Sequence, residues 1–188
     1  MTYYFKIANA FVFASVTVFL FFGTNLLNAE TLKIDILLKE LKMPLNRSSA
    51  EIEQEIWSEW SKSGSTKIDS LLQFGRYLMS KKQVNEATKI FTTIIEEKPS
   101  FAEGWNARAT AYFMQRQFDK SILDIEKVLS LNPNHFGALA GLGSIFETLG
   151  YFSQAKEVLR KAIVINPNNL NIQKSLLRVT LKEEGASS

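Results

Sequence analysis

Residues 101–134 read FAEGWNARATAYFMQRQFDKSILDIEKVLSLNPN, and residues 135–168 read HFGALAGLGSIFETLGYFSQAKEVLRKAIVINPN. The stretch before them, KIDSLLQFGRYLMSKKQVNEATKIFTTIIEEKPS at 67–100, falls on the same frame. Pro99, Pro133 and Pro167 stand 34 residues apart, and between them the residues agree in kind. Leu71, Trp105 and Leu139 share one column, and Leu78, Tyr112 and Phe146 another. Small residues recur at Gly75, Ala109 and Gly143, and again at Ala87, Ser121 and Ala155. Phe91, Ile125 and Leu159 form a fifth column. Self-similarity at a fixed period of this length marks a stacked array of identical small units.

Within a unit the apolar spacing is helical. Leu71/Phe74/Leu78 and Ala87/Ile90/Phe91/Ile94 fall at i, i+3, i+4 and i+7, giving two amphipathic faces per repeat. The small columns predict close helix crossings, with larger neighbours filling the flanks. Asn-Pro-Asn at 132–134 and 166–168 ends the second helix, because proline lacks the N–H and disfavours helix in the residue before it. The spacing predicts helices near 67–81, 84–97, 101–115, 118–130, 135–149, 152–165 and 169–183. One pair cannot bury its own apolar face, so neighbours must stack. The fold class expected is all-α, an antiparallel helix-pair solenoid.

The period and the spacing of Trp105, Tyr112 and Pro133 resemble the tetratricopeptide repeat. The resemblance covers about half the chain and implies three units, 67–100, 101–134 and 135–168. It implies that the first helix of each pair lines a concave groove that binds a segment of a partner protein. Some members carry a carboxylate clamp of lysine, asparagine and arginine in that groove. The matching positions here are Leu72, Arg76, Ala107, Gly137 and Gly141, of which Arg76 alone suits the task. That departure argues against capture of a chaperone tail.

Outside the repeats, residues 30–66 read as a helical hairpin, a degenerate repeat or cap. Leu32, Ile36, Leu37 and Leu41 suggest one helix ending before Pro44. Ser48-Ser49-Ala50-Glu51 reads as a capping box opening a second helix, with Ile52, Ile56, Trp57 and Trp60 on its apolar face. The two tryptophans are expected to cover the exposed face of the first repeat. Residues 169–184 read as a C-terminal capping helix, and 185–188 as a tail. Residues 1–29 have the layout of a secretory signal: Lys6, an uncharged apolar run from Ile7 to Phe22, and Ala29 before Glu30. Extended through Leu27, the same run reaches spanning length, so an uncleaved anchor is the alternative. Either way the repeats are expected outside the cytoplasm, in the periplasm, similar to small exported tetratricopeptide proteins of Gram-negative bacteria.

Composition narrows the chemistry. The net charge is only +3, with lysines alternating with glutamates, which gives no basic stripe for nucleic acid. With no cysteine and one histidine, His135, neither a thiol nucleophile nor a His/Cys metal site is expected. No glycine-rich phosphate loop occurs, and no cofactor is expected. The paired acids at helix ends read as solvated, so the chain is read as non-catalytic. A cell-wall hydrolase using Glu103 or Glu147 is the rival from another class, and a membrane-tethered assembly factor is the other rival.

The candidate site is the groove, with no catalytic, cofactor or metal residues assigned. Its expected lining is Asp69, Leu72, Arg76 and Met79 from the first repeat, and Glu103, Asn106, Thr110 and Phe113 from the second. Ser144 and Glu147 come from the third. Phe113 and Arg76 are the expected anchors. The strip Leu72, Met79 and Phe113 is either open to a partner or covered by the chain's own helix near Leu37 and Leu41. Arg108 replaces the apolar residue of its column, opposite Phe74 and Leu142, and either pairs with an acid in the next helix or meets a partner.

Overall fold

The computed structural model describes residues 32–186, and the candidate signal or anchor, 1–29, lies outside them. Among the described residues there are nine helices and no strand. They are α1 (residues 32–42), α2 (Ser49–Trp60), α3 (Thr66–Ser80), α4 (Val84–Glu97), α5 (Ala102–Met114), α6 (Phe118–Leu131), α7 (Phe136–Thr148), α8 (Phe152–Ile165) and α9 (Leu170–Ala186). From α3 onward each helix packs on the next, and α3 also touches α5, α5 touches α7 and α7 touches α9. That is the stacked pattern of a helix-pair solenoid.

The turn inside each pair is made three times by the same hydrogen bonds. Gln83 N–H donates to the Leu78 carbonyl, Gln117 to Tyr112 and Tyr151 to Phe146. The residue just before each donor, Lys82, Arg116 or Gly150, has φ of 61°, 58° or 81°. This is a Schellman closure, whose left-handed residue satisfies carbonyls that the helix end would leave open. Glycine adopts that conformation freely, while Lys82 and Arg116 hold it under strain set by the same turn. No side-chain periodicity betrays these positions.

The small columns fall at the crossings. Ala87, Ala109, Ser121 and Ala155 are buried, as are Gly75 and Gly143. A Cβ on Gly143 would lie 2.7 Å from Leu159 Cγ, so the α7–α8 crossing leaves no room for a side chain. Ser121 keeps its hydroxyl satisfied by donating to the Ala109 carbonyl at 2.8 Å. Phe74, expected in the core, is half-exposed.

The N-terminal hairpin departs from expectation. The capping box forms: Ser48 caps α2, and Glu51 accepts from the Ser48 N–H at 2.8 Å. The hairpin does not cover the first repeat, however. Leu37, Leu38, Leu41, Ile52 and Ile56 join Phe136, Leu139, Leu159, Ile165, Ile172 and Val179 in one core, while the first repeat closes its own around Ile68, Leu72, Phe91 and Ile94. Trp57 and Trp60 accordingly lie on His135 and Phe136 of the third repeat. The Gly137 backbone admits Trp57 because it has no Cβ; one would sit 2.4 Å from the indole. Polar contacts fix the two ends of α2. Glu53 accepts from Asn166 and Asn169 in the α8–α9 turn, and Arg76 on α3 donates to Ser61 at its C-terminal cap.

The last helix also differs. Ile172 and Val179 are buried as a cap requires, but Leu170, Leu177 and Leu181 are exposed.

Candidate functional site

The faces of α3, α5 and α7 that turn away from their partners form two adjoining pockets. One, of about 160 Å³, lies between α3 and α5 and is lined by Arg76, Met79, Phe91, Glu103, Asn106, Ala107 and Thr110. The other, of about 140 Å³, lies between α5 and α7, with Asn106, Thr110, Phe113, Gly137, Gly141 and Ser144 on its walls. Asn106 and Thr110 belong to both and form the ridge between them. Pockets for drug-sized ligands run to roughly 300–1,000 Å³. These are the size for single side chains, spaced one repeat apart. Glycine at 141 helps to open the second, since a Cβ there would meet Ile125 Cδ1 at 3.8 Å, whereas the Cβ space at Gly137 is taken by Trp57.

Of the ten residues expected to line the groove, seven do: Arg76, Met79, Glu103, Asn106, Thr110, Phe113 and Ser144. Leu72 does not, since it is 1% exposed and packs in the core of the first repeat. Asp69 instead accepts the Ser63 N–H at 2.7 Å, closing the turn into α3. Glu147 ties α7 to α9. Leu37 and Leu41, the alternative cover for the strip, are committed to the third-repeat core, so both pockets stay open.

The charged groups of the groove are already satisfied by one another. Glu103, 2% exposed, accepts from Arg76 Nη2 at 2.5 Å, from Asn106 Nδ2 at 3.2 Å and contacts His135 Nε2 at 3.1 Å. His135 Nδ1 accepts the Ala138 N–H at the start of α7, which leaves the ring proton on Nε2, facing Glu103. Trp60 stacks on the far side of the imidazole at 4.5 Å. The one histidine is therefore structural, joining α2, α5 and α7. Arg76, expected as a free anchor, is held by Glu103 and Ser61. Sequence periodicity places Glu103 and His135 in successive repeats but in different columns, and carries no sign of their contact.

Arg108 resolves toward the intramolecular alternative. Its guanidinium makes two parallel 2.8 Å bonds to Asp124 on α6, donates to Thr92 on α4, and lies over the rings of Trp105 and Tyr112. Among the described residues no three His, Asp or Glu side chains converge as a metal site would require.

Glu147 accepts from Arg178 through both oxygens at 2.7 Å and from Lys182 at 2.8 Å. Chiefly the Arg178 hydrogen bonds, with Lys182 adding and burial opposing, push its carboxyl down to about 2. A carboxylate depressed in the fold stabilises it above the unfolded value near 4.5 and loses that contribution as pH falls toward 2. With half-exposed cations the contribution is about 1–2 kcal/mol. Glu147→Gln should therefore melt lower than wild type at neutral pH, with the gap closing between pH 4.5 and 2. A gap independent of pH in thermal melts would contradict the role of the charge.

Comparison with known proteins follows this geometry. Residues 102–135 and 136–169 each match a family model described as the tetratricopeptide repeat. A TPR repeat-containing protein of Rhizobium etli is 32% identical over 154 residues, covering 81% of this chain and 76% of that protein. Among solved structures, the Sgt2 TPR domain from Aspergillus fumigatus aligns with a TM-score of 0.62 at 24% identity, over 65% of this chain and 83% of its own. The first TPR of Spaghetti (RPAP3), bound to the HSP90 peptide SRMEEVD, aligns with a TM-score of 0.61 at 22% identity, over 66% of this chain and 96% of its own. At these identities the two structures speak for the fold.

Proposed function

The chain belongs to the tetratricopeptide repeat family, and from that footing we propose that it is a non-catalytic periplasmic scaffold that binds a partner protein's segment in the groove of α3, α5 and α7. The observation that carries this reading is the pair of adjoining side-chain-sized pockets, which share Asn106 and Thr110 and which no other part of the described chain fills. An extended segment can set one side chain in each while its backbone crosses the ridge. The acids that a hydrolase would need at this face are otherwise engaged: Asp69, Glu103 and Glu147 each hold a structural partner. That favours binding over hydrolysis.

The chemistry of the segment follows from the charges. The Spaghetti domain holds SRMEEVD, a peptide rich in acids. Here the one arginine of the groove is neutralised by Glu103, so an acidic tail finds no free cation among the pocket residues. The groove suits a neutral segment with apolar side chains, for which Phe113, Met79 and the glycine-lined wall supply contact. Location rests on residues 1–29: removal after Ala29 frees the scaffold in the periplasm, and retention tethers it to the inner membrane. Determining the mature N-terminus separates the two.

The test pairs two neighbouring residues. Phe113→Ala should weaken capture of the partner by about 1–3 kcal/mol, since affinity concentrates in a few buried aromatic anchors. Phe113 lines the second pocket, although it also touches Phe118 at 5.7 Å, so a small loss of stability accompanies the change. Tyr112→Ala removes a ring that faces Arg108 and Lys120 and should act on stability instead. Partner capture and melting temperature, measured for both, decide the matter. If Phe113→Ala folds and keeps every partner, the groove is not the binding surface.

A further inference from the structure

Helix α1 is apolar on both sides. Leu37, Leu38 and Leu41 enter the core with Ile34 packed beside them. On the opposite side, Leu32 and Ile36 are 60% and 54% exposed; Met43, just past the helix end, is 73% exposed, and Leu45 in the following loop is 84%. Positions 32, 36 and 43 stand at i, i+4 and i+11, on one helical stripe. The helix also carries Lys33, Asp35, Lys39, Glu40 and Lys42, so its exposed side is an apolar stripe with charged margins. Lys39 lies on the exposed stripe and Lys42 at its margin, and neither makes an ion pair among the described residues. Lys33, by contrast, is paired with Glu55 and Glu59. An exposed row of Leu170, Leu177 and Leu181 on α9 is the nearest rival, but of the three cations beside it Arg178 and Lys182 are engaged by Glu147. Only Lys174 makes no ion pair among the described residues, and it lies far in sequence from the run 7–22.

We propose that the outer face of α1 lies on the surface of an anionic lipid bilayer. Two things select lipid over another protein. Lys39 and Lys42, which make no ion pair among the described residues, outnumber the exposed Asp35 at the margin of the apolar stripe. This is the arrangement by which an interfacial helix sinks its apolar side among acyl chains and keeps its cations at the headgroups. The sequence also places the uncharged apolar run 7–22 only ten residues ahead of Leu32. Ten residues extend no further than about 35 Å. Where that run is retained as an anchor, α1 is held within reach of the same surface; after removal at Ala29 the contact rests on the stripe and its lysines alone. Because α1 is fixed to the third-repeat core, this contact orients the whole solenoid against the membrane, and it does so without using the groove.

The absence of cysteine makes the test clean. Single variants Ile36→Cys and Met43→Cys, with Leu123→Cys on exposed α6 as control, carry an environment-sensitive nitrobenzoxadiazole label on the full chain. The vesicles are of mixed phosphatidylethanolamine and phosphatidylglycerol. Both α1 labels should shift to the blue and resist dithionite reduction several-fold longer than the Leu123→Cys label. Lys39→Gln with Lys42→Gln should diminish the protection. The proposal is overturned if the protein floats with the vesicles while the α1 labels stay as accessible as the control. It fails equally if the chain does not associate with vesicles. Protection that rises with protein concentration in the absence of lipid would assign the face to a second copy instead.

Discussion

Asp124→Ala should destabilise the protein by about 3–5 kcal/mol, the range seen when one member of a buried ion pair is removed. Asp124 and Arg108 have side-chain exposures of 5% and 15%, and their paired 2.8 Å bonds hold α6 against α5. Without the carboxylate, the guanidinium keeps a hydrogen bond to Thr92, the faces of Trp105 and Tyr112 and the more distant charge of Glu96, none of which replaces the paired bonds. The control is the double variant Arg108→Leu with Asp124→Ala. It restores the apolar residue found at the equivalent Leu142 and removes the stranded charge, so it should recover much of the loss. Chemical denaturation of wild type, the Asp124→Ala variant and the double variant measures the loss and its recovery. A single variant as stable as wild type would mean that the pair is held apart in solution.

The second large effect is expected at Gly75. A Cβ there would lie 2.3 Å from Phe91 Cε1 and 2.8 Å from Cζ, closer than real side chains approach. Phe91 is 1% exposed, and its ring could retreat only by closing the pocket it lines between α3 and α5. Gly75→Leu should therefore cost about 3 kcal/mol, at the upper end for overpacked cores. At this chain length that corresponds to a melting temperature lower by roughly 6–12 °C. Phe91→Leu made in the same protein gives back volume at the same crossing. The two changes should then be less harmful together than their separate costs imply. Additive costs would place the two residues out of contact.

The repeat architecture was legible because it depends on local period. Proline spacing, the small columns at Gly75, Ala109 and Gly143, and the apolar faces of each helix are properties of short windows. Predicted and observed helices agree within one to three residues at each end. The capping box at Ser48 was legible for the same reason, since both of its hydrogen bonds span three residues. Much of the groove followed from the repeat frame as well: Arg76, Met79, Glu103, Asn106, Thr110, Phe113 and Ser144 all line it.

What the sequence alone left open was every contact between residues far apart in the chain. Leu72 shares a column with Asn106, yet it turns into the first-repeat core, because a leucine at a helix crossing is stabilised by burial where an asparagine would not be. Arg76, Glu103 and His135 each looked like a separate surface group, and tertiary packing brings them within hydrogen-bonding distance under Trp60. The hairpin's amphipathic pattern showed that it must cover something and gave no direction. The third repeat took it because Gly137 leaves space for Trp57, Phe136 offers an apolar partner, and Asn166 and Asn169 receive Glu53. Local periodicity determined which elements form and how they stack. Only the free energy of burying distant surfaces together determined which charges are consumed, which pockets stay open and where the N-terminal helices lie.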